Sequence, residues 1–337
     1  MILVTIYDIS KKAGVSIATV SRVLNGSSNV SPKTKQKVMD VINECGYSPN
    51  VFARGLGLDS MNCVGILCAD SSDIYLAKAV YYIEQALRAG GYNAILACTG
   101  YSLETRKASL NMIMKQRVDC VILVGSSFIE NNDADNDYIR EAAEKVPVML
   151  LNADFDCPNV YCTLCDDFKS TMDATIWLLN HKRKKILYLY NSHSYSAIRK
   201  LSGFRSAILM KELDLDKNYE QFYDGPRDNI DGVRDFLLSV RKNHIDFDAV
   251  LCADDSLASG ALKYAKASKL SIPKDLAVIG YNNSILSLAC DPDLSSVDNH
   301  LEDQCNQLVK SCIQVLSGIE TPQKIIFSGE LIERATT

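Results

Sequence analysis

At 337 residues the chain is too long for one hydrophobic core and suits two or three domains, and its make-up, 47% hydrophobic and 23% charged, is that of an ordinary globular protein. No apolar run approaches the ~18 residues of a membrane span, and the N-terminus lacks the basic, apolar, then cleavable order of a secretory signal, so a cytoplasmic chain with reduced thiols is expected. The formal charge of −5 speaks against nucleic-acid binding by the whole chain, yet residues 1–60 hold seven Lys/Arg against four Asp/Glu and the remainder 29 against 37.

A basic head on an acidic body fits a DNA reader joined to a domain with another kind of partner. The head shows three helices with start and stop signals. Thr5 is a candidate N-cap with Asp8 in the first turn, where the helix dipole favours an anion. Ala13-Gly14-Val15 is a connection of helix-turn-helix length. Ser16 caps a second helix, Ile17 to Leu24, which Asn25-Gly26 can stop. Ser31-Pro32 opens a third helix and Gly46 closes it. Apolar residues from Ile6 to Ile42 recur at helical spacing, enough for one small core.

The second helix carries the chemistry. With Val20, Val23 and Leu24 turned to the core, Ile17, Ala18, Ser21, Arg22 and Asn25 are left to solvent. In a helix-turn-helix this element enters the major groove with its N-terminal residues on base edges. Arg22 can fork two donors onto guanine, and Ile17 and Ala18 can touch a thymine methyl. Ser16, Thr19 and Ser21 suit phosphate oxygens. A solvated helical hairpin is the plain alternative.

The ordered run T-I-Y-D-I, A-G-V-S-I-A-T-V-S-R-V-L-N-G, V-S-P-K-T, G-Y-S-P-N and A-R-G-L resembles the DNA-binding head of the lac-repressor (LacI/GalR) family of bacterial transcription regulators. The resemblance implies that Ile17, Ala18 and Arg22 read bases while Tyr7, Ser16, Thr19, Ser21, Asn25, Ser31 and Thr34 hold the DNA backbone. Tyr47 and Asn50 would stand at the start of a hinge over residues 51–60. There Ala53 and Arg54 match the groove-facing turn, and Leu56 matches a minor-groove wedge of the kind that kinks a duplex. Gly55 and Gly57 each cost about 1 kcal/mol of helix propensity, which suits a hinge helix that forms only on DNA. Asp59 departs from the family pattern, and a flexible tether is the alternative.

From Cys63 onward, short apolar strands alternate with longer helical segments, twice over. The first set has strands Val64–Ala69, Ala94–Cys98, Cys120–Val124 and Val148–Leu151. The second has Ile186–Tyr190, Glu220–Tyr223, Ala249–Ala253 and Leu276–Tyr281. This pattern predicts two doubly wound parallel sheets with a ligand cleft at their strand ends. R-V-D-C-V-I-L-V, V-P-V-M-L-L-N, F-D-A-V-L-C-A-D-D-S, I-P-K-D-L-A-V-I-G-Y-N-N and the tail E-L-I-E-R-A-T-T resemble the family's periplasmic-binding-protein-like core. The expected fold class is therefore α/β: a head at residues 1–50, a hinge at 51–60 and a core at 61–337. Within the core, residues 61–162 with 294–321 would form one subdomain, and 163–293 with 322–337 the other. The three crossings are expected near Cys162–Cys165, Asp291–Leu294 and Thr321–Lys324. Helices Leu76–Ala89 and Leu257–Lys269 are candidate dimer surfaces.

By the same resemblance Asp73, Tyr75, Leu76, Asn152, Arg199, Asp255 and Asn282 line the effector site. Arg199 would clamp a hydroxyl pair or a carboxylate, and Asp255 would accept two hydroxyls. The bland readings are that Asp255 only caps a helix and that Arg199 pairs with a surface acid. Asn282-Asn283 and Asn152 stand where acids are frequent, which leaves a sugar, a sugar phosphate, a nucleobase or a protein co-regulator open. The expected function is a homodimeric, sequence-specific regulator, a repressor of operator DNA, with no cofactor, no metal and no membrane partner. An enzyme is disfavoured by the lack of G-x-G-x-x-G, G-x-x-x-x-G-K-[ST] and G-x-S-x-G motifs in the right context. A solute-binding protein on the same core fold is disfavoured by the head. Cys162-x-x-Cys165 has metal-like spacing, but no second pair follows and a zinc site needs four ligands.

Overall fold

The structure is a computed structural model and describes residues 4–24, 29–47, 60–212 and 216–337. The chain forms two compact units that divide after Met61. In the head, α1 (Ile6–Ala13), α2 (Ile17–Leu24) and α3 (Pro32–Cys45) enclose a core of Ile9, Ala13, Val20, Val23, Val38 and Ile42. Their ends are fixed locally. Thr5 and Asp8 form a reciprocal capping box, with the Thr5 amide donating to the Asp8 carboxylate at 2.8 Å. Gly14 leaves α1 at φ 62°, a left-handed conformation that a side chain would strain. Ser31 caps α3 with Pro32 in its first turn. Lys12 and Glu44 pair at 2.9 Å between α1 and α3. Asn25, Asn50, Ala53, Arg54 and Leu56 lie outside the described residues.

The core opens with β1 (Cys63–Cys68), α4 (Ile74–Ala89), β2 (Asn93–Cys98), α5 (Leu103–Met114), β3 (Cys120–Val124), α6 (Asp137–Ala143), β4 (Val148–Leu151) and β5 (Val160–Cys165). After the first crossing come α7 (Asp167–Asn180), β6 (Ile186–Tyr190), α8 (Tyr195–Met210), β7 (Glu220–Phe222), α9 (Ile230–Lys242), β8 (Ala249–Cys252), α10 (Asp255–Ala267), β9 (Ala277–Tyr281), α11 (Ile285–Ala289) and β10 (Ser295–Asp298). α12 (Leu301–Leu316), β11 (Lys324–Phe327) and β12 (Glu330–Ile332) complete it. Sheet order is β11-β5-β4-β3-β1-β2 in one half and β12-β10-β9-β8-β6-β7 in the other. All pairs are parallel except β10 with β12. Fully buried strands such as Cys120–Val124 and Ala249–Cys252 read as unbroken apolar runs because helices cover both faces.

The crossings correct three expected boundaries. β5 lies wholly in the first sheet, so the first crossing follows Cys165. β10 belongs to the second sheet, so the next crossing falls after Asp298 rather than near Asp291–Leu294. β11 pairs with β5, Lys324 opposite Cys162, and only β12 returns to the second sheet. The reason for the second miss is chemical. Ser295 and Ser296 are fully buried in β10, their hydroxyls bonded to Thr337 and Asp255, so no apolar run marks the strand. The helix expected over Leu257–Lys269 is not a free face either. Nine residues of α10, from Asp255 to Ala265, are buried. Cys162 and Cys165 stand three apart on one strand and so face opposite ways, Cys162 towards the Phe155 carbonyl and Cys165 towards the Ser170 hydroxyl.

Candidate functional site

In the head, burial of Val20 and Val23 fixes the rotation of α2. Ser16, Ile17, Ala18 and Arg22 are exposed, and Thr19 and Ser21 are half-buried beside them. Ile17 is 39% exposed, an apolar side chain held out on a polar surface. The Ser16 and Thr19 hydroxyls meet at 2.8 Å at the start of α2, next to the helix's free amides. Tyr7 is 68% exposed, Ser31 is exposed and its hydroxyl meets that of half-buried Thr34 at 2.9 Å. Tyr47 packs against the head core. The result is an exposed surface with hydroxyl donors, one guanidinium and two apolar side chains, and Arg22 makes no ion pair among the described residues.

In the core, a cavity of about 140 Å³ opens between the two sheets. Asp73, Tyr75, Leu76, Asn152, Asp255 and Asn282 line it, as do Lys200, which the sequence offers beside Arg199 as a group that would tolerate an anion, and a set absent from the sequence reading: Tyr101, Ser126, Asn191, Ser194, Arg227 and Asp254. Arg199 does not. Its guanidinium lies over the Phe168 ring and 4.0 Å from Asp166, at the surface. Lys200, the next residue, points inwards instead. It is 6% exposed, donates to the Ala253 carbonyl at 3.0 Å and sits 3.5 Å above the Tyr281 ring. Helical periodicity contains this answer: Ser196, Ala197, Lys200, Gly203, Phe204, Ala207 and Ile208 form the buried stripe of α8. Gly203 lets α8 press on α7, since a Cβ there would stand 2.1 Å from the Phe168 carbonyl oxygen.

The lining acids are largely occupied. Asp255 accepts from the Ser296 hydroxyl and the Ser284 amide, both at 2.6 Å, so it ties α10 to the loop after β9 rather than offering a free fork. Burial pushes its carboxyl up to about 6, against the pull of those hydrogen bonds. Gly280 leaves room for this brace, because a Cβ there would stand 2.2 Å from Asp255 Oδ1. Asp254 caps α10 through the Leu257 amide at 2.8 Å and accepts from Asn191 at 3.2 Å. Asp73 caps α4 through the Leu76 amide at 3.0 Å. Beneath the cavity, buried Asp167 accepts from the Tyr281 hydroxyl at 2.6 Å and the Ser196 hydroxyl at 2.5 Å, joining three elements of the second half. Across the cleft, Ser126 donates to Ser194 at 3.0 Å and so links the two halves.

Other polar atoms are open. Asn152 and Asn282 end their strands at φ 60° and 93°, conformations asparagine tolerates better than most residues. Asn152 Oδ1, the Ser284 hydroxyl and the Tyr75 hydroxyl are buried without a hydrogen-bond partner. Asn282 Oδ1 accepts from Asn299 at 3.2 Å.

Residues 5–50 match the model for bacterial regulatory proteins of the lacI family, and residues 177–337 match the periplasmic binding protein-like domain. An HTH-type transcriptional regulator of Lachnoclostridium phytofermentans is 52% identical over 98% of this chain and 99% of its own. The chain belongs to the LacI family. Within that family, the regulator AscG of Escherichia coli is 28% identical over 98% of both chains. Among solved structures, a lac repressor dimer bound to operator and an anti-inducer superposes with a TM-score of 0.88 at 24% identity, covering 99% of this chain and 98% of that one. A CelR–cellobiose complex gives 0.72 at 24% identity, covering 99% and 100%. The LacI-family membership makes the chain a DNA-binding transcriptional regulator and not an enzyme. No helix among the described residues is long and apolar enough to cross a membrane.

Proposed function

We propose that the chain is a homodimeric operator-binding repressor whose grip on DNA is set by a carbohydrate-type effector in the core cleft. Ile17, Ala18 and Arg22 read base edges in the major groove, and Tyr7, Ser16, Thr19, Ser21, Ser31 and Thr34 hold the flanking phosphates. One head makes too few phosphate contacts for tight binding, so two copies read a near-palindromic site. The observation that carries the effector assignment is the set of buried, unpartnered oxygens of Asn152, Ser284 and Tyr75 around a cavity rich in hydroxyl groups. Buried polar atoms without partners cost about 1–3 kcal/mol each, and a ligand that supplies O–H groups relieves that cost. The lac repressor dimer on its operator and the cellobiose complex of CelR support this reading.

Allostery follows if the effector binds two poses of the core unequally. The Ser126–Ser194 bond is the kind of contact that such a change makes or breaks. The test is fluorescence polarisation of the full-length chain on an operator chosen from random duplexes, titrated with sugars. A several-fold change in DNA affinity with one sugar supports the proposal. Response only to nucleobases, or to none of these, overturns the effector assignment and leaves the DNA assignment standing.

A further inference from the structure

We propose that Cys68 and Cys98 form a reversible thiol–disulfide site, closed by a hydroperoxide, whose state sets the pose of two loops of the core and so the chain's affinity for operator DNA. The two residues stand opposite one another on the parallel strands β1 and β2, so their side chains share one face of the sheet. Their sulfurs are in contact at 3.9 Å. Adjacent strands run about 4.7–4.9 Å apart, within the Cα separation of about 4.4–6.8 Å that a disulfide spans, so closure asks for side-chain rotation more than strand movement. Cys68 is fully buried in a cluster with Ile66, Ala79 and Ile83. β2 is an edge strand, and its outward residues Ala94, Leu96 and Cys98 are exposed. Cys98 is the one exposed cysteine among the described residues, so one sulfur meets an oxidant in solvent while its neighbour lies behind it. Cys120 and Cys312 also interact, but both are fully buried and out of an oxidant's reach.

The chemistry balances with hydrogen peroxide as the only co-reactant. The Cys98 sulfur attacks a peroxide oxygen; an S–O bond forms, the O–O bond breaks, and water leaves a sulfenic acid behind. The Cys68 sulfur then attacks the Cys98 sulfur. An S–S bond forms as the S–O bond breaks, and the departing hydroxide takes the Cys68 proton as a second water. Two thiols thereby give two electrons to one peroxide. Burial, then the neighbouring Cys98 and the carboxylates of Asp70 and Asp73, pushes the Cys68 thiol up to about 12, which leaves the first step to Cys98. Both strands end at the cavity: Asp73, Tyr75 and Leu76 follow Cys68, and Tyr101 follows Cys98. The Thr99 and Gly100 amides donate to the Cys68 and Ala69 carbonyls, each at 2.9 Å, so the two segments are tied from their first residues. The Tyr101 ring lies under the Arg227 guanidinium of the other half, 4.6 Å away. A covalent bond at the root of these loops therefore acts on a contact between the halves, and through it on the balance of poses proposed above.

The experiment treats the full-length chain with hydrogen peroxide, alkylates it, and maps its peptides by mass spectrometry without reductant. Polarisation on the selected operator, with and without dithiothreitol, runs alongside. The expected result is a linked Cys68–Cys98 peptide that lacks two hydrogens and is released by dithiothreitol, together with a several-fold change in operator affinity that reverses with it. Cys98→Ser abolishes both changes and keeps the affinity of the reduced chain. Cys68→Ser leaves a sulfenic acid on Cys98 that dimedone traps, and the wild-type map decides the question even if this buried variant fails to fold. Absence of the linked peptide, or a Cys98–Cys98 bond between two copies in its place, overturns the site. A linked peptide with unchanged operator affinity overturns its regulatory role. The operator readout rests on the DNA reading above: a reduced chain without any sequence preference overturns that reading instead, and the peptide map still decides the site.

Discussion

The head and the cleft use charge in opposite ways. On α2 the candidate DNA-reading groups stand outside the core: Arg22 is exposed and unpaired among the described residues, and the helix behind it is held by Val20 and Val23 with Leu24 packed beside them. In the cleft most charged groups also build the fold. Asp255 braces a loop, Asp254 caps a helix, and Arg106, which does not line the cavity, holds its upper lip by bonding the Ser127 and Tyr101 carbonyls and Glu130. The difference teaches where mutation separates function from stability. It does so in the head, and it does so in the cleft only at groups with unoccupied bonds.

The largest effect expected from this contrast is at Arg106, whose side chain is 5% exposed. Arg106→Ala leaves two carbonyls and a carboxylate without their partner, and should cost about 3–5 kcal/mol by urea unfolding of the full-length chain. A loss under about 1 kcal/mol would break the claim that this charge is structural. Asp255 comes next. Its folded carboxyl keeps its proton up to about pH 6, whereas an unfolded aspartate releases it near about 3.9. Between those values the folded chain binds more protons, so this group's contribution to stability falls as pH rises from about 4 to about 6, by about 2–3 kcal/mol in all. Subtracting the Asp255→Asn curve isolates that fall; parallel curves for the two proteins would contradict it.

Ser126→Ala removes one neutral hydrogen bond between the halves, worth about 0.5–1.5 kcal/mol, and should shift effector affinity a few-fold without moving base preference. The smallest effect is at Arg199. Arg199→Ala should change stability by less than about 0.5 kcal/mol and leave effector affinity alone, because this surface side chain does not reach the cavity. A large loss of effector binding there would instead restore Arg199 as the clamp.

The same contrast explains what the sequence made legible. The exposed face of α2 follows from helix geometry within eight residues, so Ile17, Ala18 and Arg22 were readable from the spacing of Val20, Val23 and Leu24. The cleft gathers loops from both halves, and there resemblance carried residue numbers but not rotations. One position along α8 turns a side chain by about 100°, the angle that separates exposed Arg199 from buried Lys200. The buried stripe beginning at Ser196 contained that information. Tyr101, Asn191 and Arg227 carried no local signal, since only the sheet order brings their loops together. β10 escaped for another reason: its serines are buried by hydrogen bonding and not by apolarity.

The most direct test of the central claim is selection of the full-length chain on a pool of randomised duplexes, run in parallel with Arg22→Ala. The account predicts a near-palindromic site with guanine fixed at one position of each half, and a loss of about 1–3 kcal/mol of discrimination at that position alone in the variant. Enrichment of no sequence by the wild-type chain, or an unchanged profile in the variant, would contradict it.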